Sequence, residues 1–313
     1  MPAVGKKLHH FVPRFYLEAW AEKGKVHCLQ GGEIFRTSLR NVAAENHFYQ
    51  LRELSESDIT FIRGAAIEDS PERLKPFHEN LLRQFTSPHA AKAHYEKHGT
   101  ASPILLAAIN RDIAEANEDF HATIEQSFQP YLKSLRAGDL TFLSNDKDTV
   151  MFYRGLAVQY MRTNHRRRIE LAMTPDNRVR YERTANVLTH IFAVNIGYSL
   201  FNDHPRLKLV LIENPTDVPF ITADQPVINI AAKLKDTGAP STFEGYYPVS
   251  PTKALLILEP NSEFLPKSIT ISALEAHFWN LRIASRAYRQ VFAKWTKELD
   301  MAKTDLPAFV SCH

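Results

Sequence analysis

The sequence predicts an α+β fold: an N-terminal helix with short strands, a mainly helical middle, and a C-terminal mixed or antiparallel sheet segment with a closing helix. Three observations predict it. Short alternating apolar runs occupy about the first 54 residues, apolar residues recur at helical spacing from about 55 to 200, and short runs broken by Pro, Gly and Asn return after about 205. Strands and helices do not alternate one by one, which argues against a repeating βαβ sheet. The chain is read as one large α+β domain (1–313). It divides into a small αβ segment (1–54), a helical segment (55–200) and a β-rich segment with a final helix (205–313). The two β segments, at opposite ends of the chain, can share one sheet.

Each element has its own signal. Pro13 suits the first turn of a short helix, where its missing N–H costs nothing, and Phe15, Tyr16, Ala19 and Trp20 give that helix an aromatic face ended by Gly24. Lys25–Gln30, Gly31-Gly32 and Glu33–Thr37 read as a hairpin, and Phe48–Leu51 as a third strand. A helix starts near Asp58, and Ser70-Pro71 opens the next. Residues 87–102 read as a loop or loose helix. Ser102-Pro103 starts a long helix to about Arg136, stopped by Gly138. Asn145 or Asp146 caps a helix to about Ala172, and another covers Arg178 to about Ile196. Strands follow at Leu207–Glu213, Pro219–Thr222, Val227–Ile230, Gly245–Val249 and Ala254–Leu258, then one final helix from about Ser272 to Leu299.

Composition narrows the function classes. A hydrophobic fraction of 44% and a charged fraction of 23% suit a folded chain. The net charge of +3 does not by itself demand a nucleic-acid partner. Two cysteines, Cys28 and Cys312, exclude a disulfide scaffold and an all-cysteine zinc site. No apolar run approaches the roughly 20 residues of a membrane span, and the N-terminus lacks the apolar core of a signal peptide. A cytoplasmic protein with no membrane partner is the expectation.

Several stretches together are familiar. They are His10-Phe11-Val12-Pro13-Arg14-Phe15-Tyr16-Leu17 with Trp20, then Asn41 through Tyr49, then Ala66-Ile67-Glu68. Gln159-Tyr160-Met161-Arg162-Thr163 and Phe220 through Val227 follow, and Tyr247-Pro248-Val249-Ser250-Pro251 and Asn280 complete the set. In order and spacing they resemble the family called domain of unknown function 4238, spread through bacteria and found in some fungi. Ala223 stands where that family usually carries Ser. The resemblance implies a soluble bacterial protein and implies no activity.

Candidate chemistry lies at element ends. His9 and His10 stand at a helix entrance, able to face a metal or phosphate, or to pack. A hard divalent cation, Mg²⁺ or Mn²⁺, takes carboxylates with an imidazole, and His10, Glu45, Glu68 and Asp224 are the candidate ligands. Asp224, Glu68 and His10 are also the candidate catalytic groups. Asp224 follows a hydrophobic strand, a position equally suited to catalysis and to an ordinary Asx turn. Gln159 and Arg162 lie in a partly apolar helix. A buried Arg there needs Asp224 or Glu68 as an internal partner, or a ligand phosphate.

The stretch Arg162–Arg183 carries seven Arg against Glu170, Asp176 and Glu182, giving 7 − 3 = +4. Arg166 and Arg167, with Gln159 and Arg162, are the candidate substrate-binding residues. Such clustering is the footprint of phosphate binding, although cations near a helix C-terminus are also favoured by its dipole. Glu118-x-x-His121 has the spacing of half a di-iron site, but the second copy is missing. No Walker loop, Rossmann fingerprint, His-Glu-x-x-His or Gly-x-Ser-x-Gly is present.

Two functions fit. The first is a metal-dependent phosphodiesterase or nuclease acting on nucleic acid. The second is a non-catalytic recognition protein that binds nucleic acid or a protein partner through the basic helix 162–183.

Overall fold

A computed structural model describes residues 8–98, 102–162, 174–232, 242–259 and 266–312. The chain opens with β1 (Leu8–His10), which pairs antiparallel with β4 (Ala44–Asn46), placing His9 opposite Glu45 and His10 opposite Ala44. Between them, Pro13 starts helix α1 (Arg14–Leu17), which tightens into a 3₁₀ turn at Glu18–Trp20. The aromatic face of this turn is pinned to the far end of the sequence. Trp20 Nε1 donates to Phe220 O at 2.7 Å, and the Tyr16 hydroxyl donates to Pro248 O at 2.6 Å.

β2 (Lys25–Gln30) and β3 (Glu33–Ser38) form the expected hairpin, with positive φ at both Gly31 and Gly32. The third strand differs from expectation. It is β4, which begins four residues before Phe48 and ends before the expected strand starts. Positive φ at Ala43 and His47 breaks the chain on either side of it, and residues 47–49 turn away. Tyr49 and Leu51 are then used as buried anchors rather than strand residues.

The helical middle begins with α2 (Glu56–Ile62), held by a reciprocal capping box between Ser55 and Asp58. A π-helical turn over Arg63–Ile67 follows. Helix α3 (Lys75–His98) runs through most of the stretch read as a loop or loose helix, which is helical as far as His98. Pro88 lacks the amide that would bond Gln84 O, and the Ser87 hydroxyl donates to that carbonyl instead, at 3.2 Å. Helix α4 (Pro103–Ala137) has Pro103 in its first turn and ends on Gly138 in the left-handed conformation, as expected. Asn145 caps α5 (Asp146–Met161). The expected continuation to Ala172 lies mostly outside the described residues. Helix α6 (Pro175–Asp203) exceeds its expected range at both ends. It packs closely on α5: a Cβ on Gly197 would come within 3.2 Å of the Arg154 backbone.

Two sheets follow. β5 (Lys208–Glu213), β7 (Ile228–Asn229), β8 (Gly245–Ser250), β9 (Lys253–Leu258) and β10 (Ser268–Thr270) form one, in the order β10-β5-β9-β8-β7, parallel only at β10–β5. The second joins both ends of the chain, in the order β3-β2-β11-β6. Its new members are β6 (Thr222–Ala223) and β11 (Gln290–Ala293).

β11 corrects the expected single closing helix. That stretch is α7 (Ala273–Ala284), then β11, then α8 (Thr296–Cys312). Val291 and Phe292 are buried between β2 and β6, so pairing in the sheet overrides local helical spacing. One core gathers Tyr16, Trp20, Phe128, Phe152 and Tyr247. A second lies among β5, β8 and β9 and helices α7 and α8, and a third among α2, α3 and α6. No helix among the described residues is long and apolar enough to cross a membrane.

Candidate functional site

A polar centre is buried where the β1–β4 pair meets α4, α5 and α6. Arg162, which follows the last residue of α5, is its hub and is 1% exposed. Its Nε donates to the Tyr49 hydroxyl at 2.7 Å, Nη1 to Glu125 Oε1 at 2.6 Å, and Nη2 to His10 O at 3.1 Å. Burial works against the cation, but Tyr49 and Glu125 outweigh it and leave its pKa above the ordinary arginine value. Burial likewise raises the Tyr49 phenol well above the ordinary range.

Helix α4 supplies one side of this centre. Asn117, His121 and Glu125 recur at i, i+4 and i+8, which puts them on one helix face. The His121 ring lies 4.1 Å from the Tyr49 ring and 4.4 Å from that of His190 on α6. His190 Nε2 bonds Asn117 Oδ1 at 2.8 Å. Its pKa is held down to about 3, by burial first and then by the Arg162 and Arg154 cations, so the ring is neutral. His9 is fully buried, stacks on Tyr49, and accepts the Tyr49 amide at Nδ1.

Asp224 sits at a second centre. It is 0% exposed and directly follows β6. Oδ1 accepts the Tyr288 amide at 2.7 Å, and Oδ2 accepts those of Arg289 and Gln290 at 2.7 and 2.9 Å. Burial raises its pKa to about 6 against the pull of these three donors. The nearby Cys28 thiol is pushed up to about 12, by burial first and then by the Asp224 charge. Asp224 therefore clamps the turn that converts α7 into β11.

The two centres are tied together. Gln225 Nε2 donates to Tyr160 O at 3.0 Å, near the end of α5. Gln290 Oε1 accepts the Ala43 amide at 2.8 Å, and Ala43 O accepts that of Phe11 at 2.8 Å.

The candidate ligands and catalytic groups do not come together. His10 lies at the Arg162 centre, half-buried, with Nε2 unbonded and its pKa lowered by burial. Glu45 is half-buried in β4. Glu68 is exposed at the end of the π-helical turn, in a segment that bonds Asn195 of α6 through Ala66 O and Ser70. Asp224 is engaged by its three amides. Among the described residues, no three His, Cys, Asp or Glu side chains are placed to hold one metal ion.

Arg162 is ion-paired as expected, but to Glu125 instead of Asp224 or Glu68. Gln159 is buried one turn earlier, its Oε1 without a hydrogen bond. Arg166 and Arg167 lie outside the described residues. Sequence reasoning missed Tyr49, Asn117, Glu125 and His190. The Asn117, His121 and Glu125 spacing was the signal available for α4; Tyr49 lay in the Asn41–Tyr49 stretch but was read as a strand residue, and His190 had no signal.

Part of the basic stretch is spent inside the fold. Arg183 makes a two-pronged pair with Asp58, at 2.8 and 3.1 Å, which is the leading cause of the lowering of that carboxyl to about 2. The Arg180 guanidinium lies over the Phe61 ring at 5.5 Å.

This is an α+β protein whose N- and C-terminal strands share a sheet and whose helical middle encloses a charged centre. The chain belongs to the family described as protein of unknown function (DUF4238), which matches residues 8–297. No curated protein and no solved structure matches it.

Proposed function

We propose that this protein recognises nucleic acid without cleaving it, through the basic stretch 162–183. The observation that carries this reading is the use of both Asp224 oxygens by backbone amides. The residue best placed in sequence for catalysis thereby acts as a clamp for β11. The Arg162 centre fixes the end of α5, and Arg166-Arg167-Arg168 begins four positions after Arg162 in the sequence. Arg162, Arg180 and Arg183 have partners within the fold and Arg178 is engaged as well, so the reading puts the phosphate contacts on Arg166, Arg167 and Arg168. Arginine suits phosphate because its planar fork gives two parallel hydrogen bonds, and counterion release adds affinity.

The competing reading is the Mg²⁺- or Mn²⁺-dependent phosphodiesterase. Incubation of the protein with end-labelled single- and double-stranded nucleic acid, with either metal or with chelator, separates the two. The expected result is a retarded but intact strand in every condition. Metal-dependent cleavage, lost in a folded Asp224→Ala variant, would overturn the proposal.

A further inference from the structure

At the start of α8, far in sequence from the basic stretch, the surface opens into a cavity of about 660 Å³. Asp217, Lys294, Trp295, Lys297 and Glu298 line it, with Thr216 beside them. Glu298 is unusual among these. Acidic residues in the first turn of a helix are common because the dipole favours them, but they ordinarily stay in water. Glu298 is only 5% exposed, and its Oε2 has no hydrogen-bond partner. A buried carboxylate oxygen without a partner is costly.

The rest of the lining supplies complementary features. Trp295 is 48% exposed, and Lys294 Nζ lies 4.6 Å from the centre of its ring. The two carboxylates, Asp217 and Glu298, balance the two ammonium groups, Lys294 and Lys297. A purely anionic ligand would meet the carboxylates, and a purely cationic one the lysines. A ligand carrying both charges satisfies each side.

We propose that this cavity binds a free amino acid or a similarly small zwitterion. Its ammonium group bonds Glu298 Oε2, with Asp217 adding attraction. Its carboxylate faces Lys297 and Lys294, and its side chain lies against Trp295. Burial raises the Glu298 pKa, and a bound ammonium lowers it again, so binding strengthens as Glu298 ionises.

The test uses the full chain and the common L-amino acids as probes, followed by calorimetry and by tryptophan fluorescence. Of the three tryptophans, Trp20 is fully buried and Trp279 is half-buried and stacked on Tyr246, so the exposed Trp295 is the one placed to report binding. The expected result is saturable binding of at least one probe with a Kd below about 1 mM. Acetylating its amine, amidating its carboxylate, or making Glu298→Gln should each weaken binding by about tenfold or more. The surface variant Lys297→Ala gives a second loss without touching a buried residue. No saturable binding by any probe would overturn the proposal. So would binding that Glu298→Gln and Lys297→Ala, both folded, leave unchanged.

Discussion

Arg162 and Glu125 form an ion pair 2.6 Å long in which burial is uneven: the Arg162 side chain is 1% exposed and that of Glu125 is 22% exposed. The two ends of the pair therefore respond differently to mutation. Glu125→Ala strands a buried cation, and the expected loss of stability is about 3–5 kcal/mol. Arg162→Met keeps most of the volume and leaves a carboxylate that reaches water, so its loss is expected to be smaller. Urea unfolding of both variants checks the order. An Arg162→Met midpoint below that of Glu125→Ala would contradict it.

Asp224→Asn keeps the shape but replaces one acceptor oxygen with a donor that faces the amides of residues 288–290. A hydrogen bond to a charged group is worth about 1.5–3 kcal/mol, and the expected loss is of that size or greater. Amide exchange at Tyr288, Arg289 and Gln290 should quicken before exchange in β5 and β9 does. Uniform quickening across both sheets would mean that Asp224 is no local clamp.

Much of the fold is legible in sequence because it rests on local signals. The Gly31-Gly32 hairpin, the Ser102-Pro103 start, the Gly138 stop and the Asn145 cap are each written within a few residues. β11 is not, because Val291 and Phe292 become strand residues only when β2 and β6 lie on either side. The same holds for the site. Arg162 stood out as a cation within an apolar helix, but its partners Tyr49, Glu125 and His10 lie 37 to 152 positions away. No local pattern records those pairings. Asp224 was likewise visible as a turn residue, while the amides it serves are more than sixty positions further on.

Stability should fall in mild acid partly through His190. Its pKa drops from 6.5 to about 3 on folding, so its contribution is full above pH 6.5 and is lost as pH falls toward 3. The slope contributed by one such proton approaches about 1.4 kcal/mol per pH unit. Asp224 has the opposite sign. Its pKa rises from 3.8 to about 6, so its contribution is full below 3.8 and is lost as pH rises through 6. A His190→Gln variant separates the two. Its unfolding midpoint, followed from pH 7 down to pH 4, should fall less steeply than that of the wild type. Parallel curves would count against a buried neutral His190.

Gly155 on α5 is required by close packing. A Cβ there would lie 2.2 Å from Phe128 Cδ2, inside a ring that stacks on Phe152. Gly155→Ala should cost about 1–3 kcal/mol by overpacking, against its favourable helix propensity. Pairing it with Phe128→Leu should recover part of the loss. An unchanged melting temperature in the single variant would contradict the packing.

The central claim, that phosphate recognition resides in the Arg166-Arg167-Arg168 run and needs no metal, is tested most directly by salt-dependent binding. Anisotropy of a labelled oligonucleotide, titrated in chelator at several salt concentrations, gives the slope of log K against log salt. The wild type should bind with a clear negative slope. The triple alanine variant, with an unchanged melting temperature, should have a slope shallower by about two to three. Wild-type binding that appears only with Mg²⁺ or Mn²⁺, or equal slopes in the two proteins, would contradict the claim.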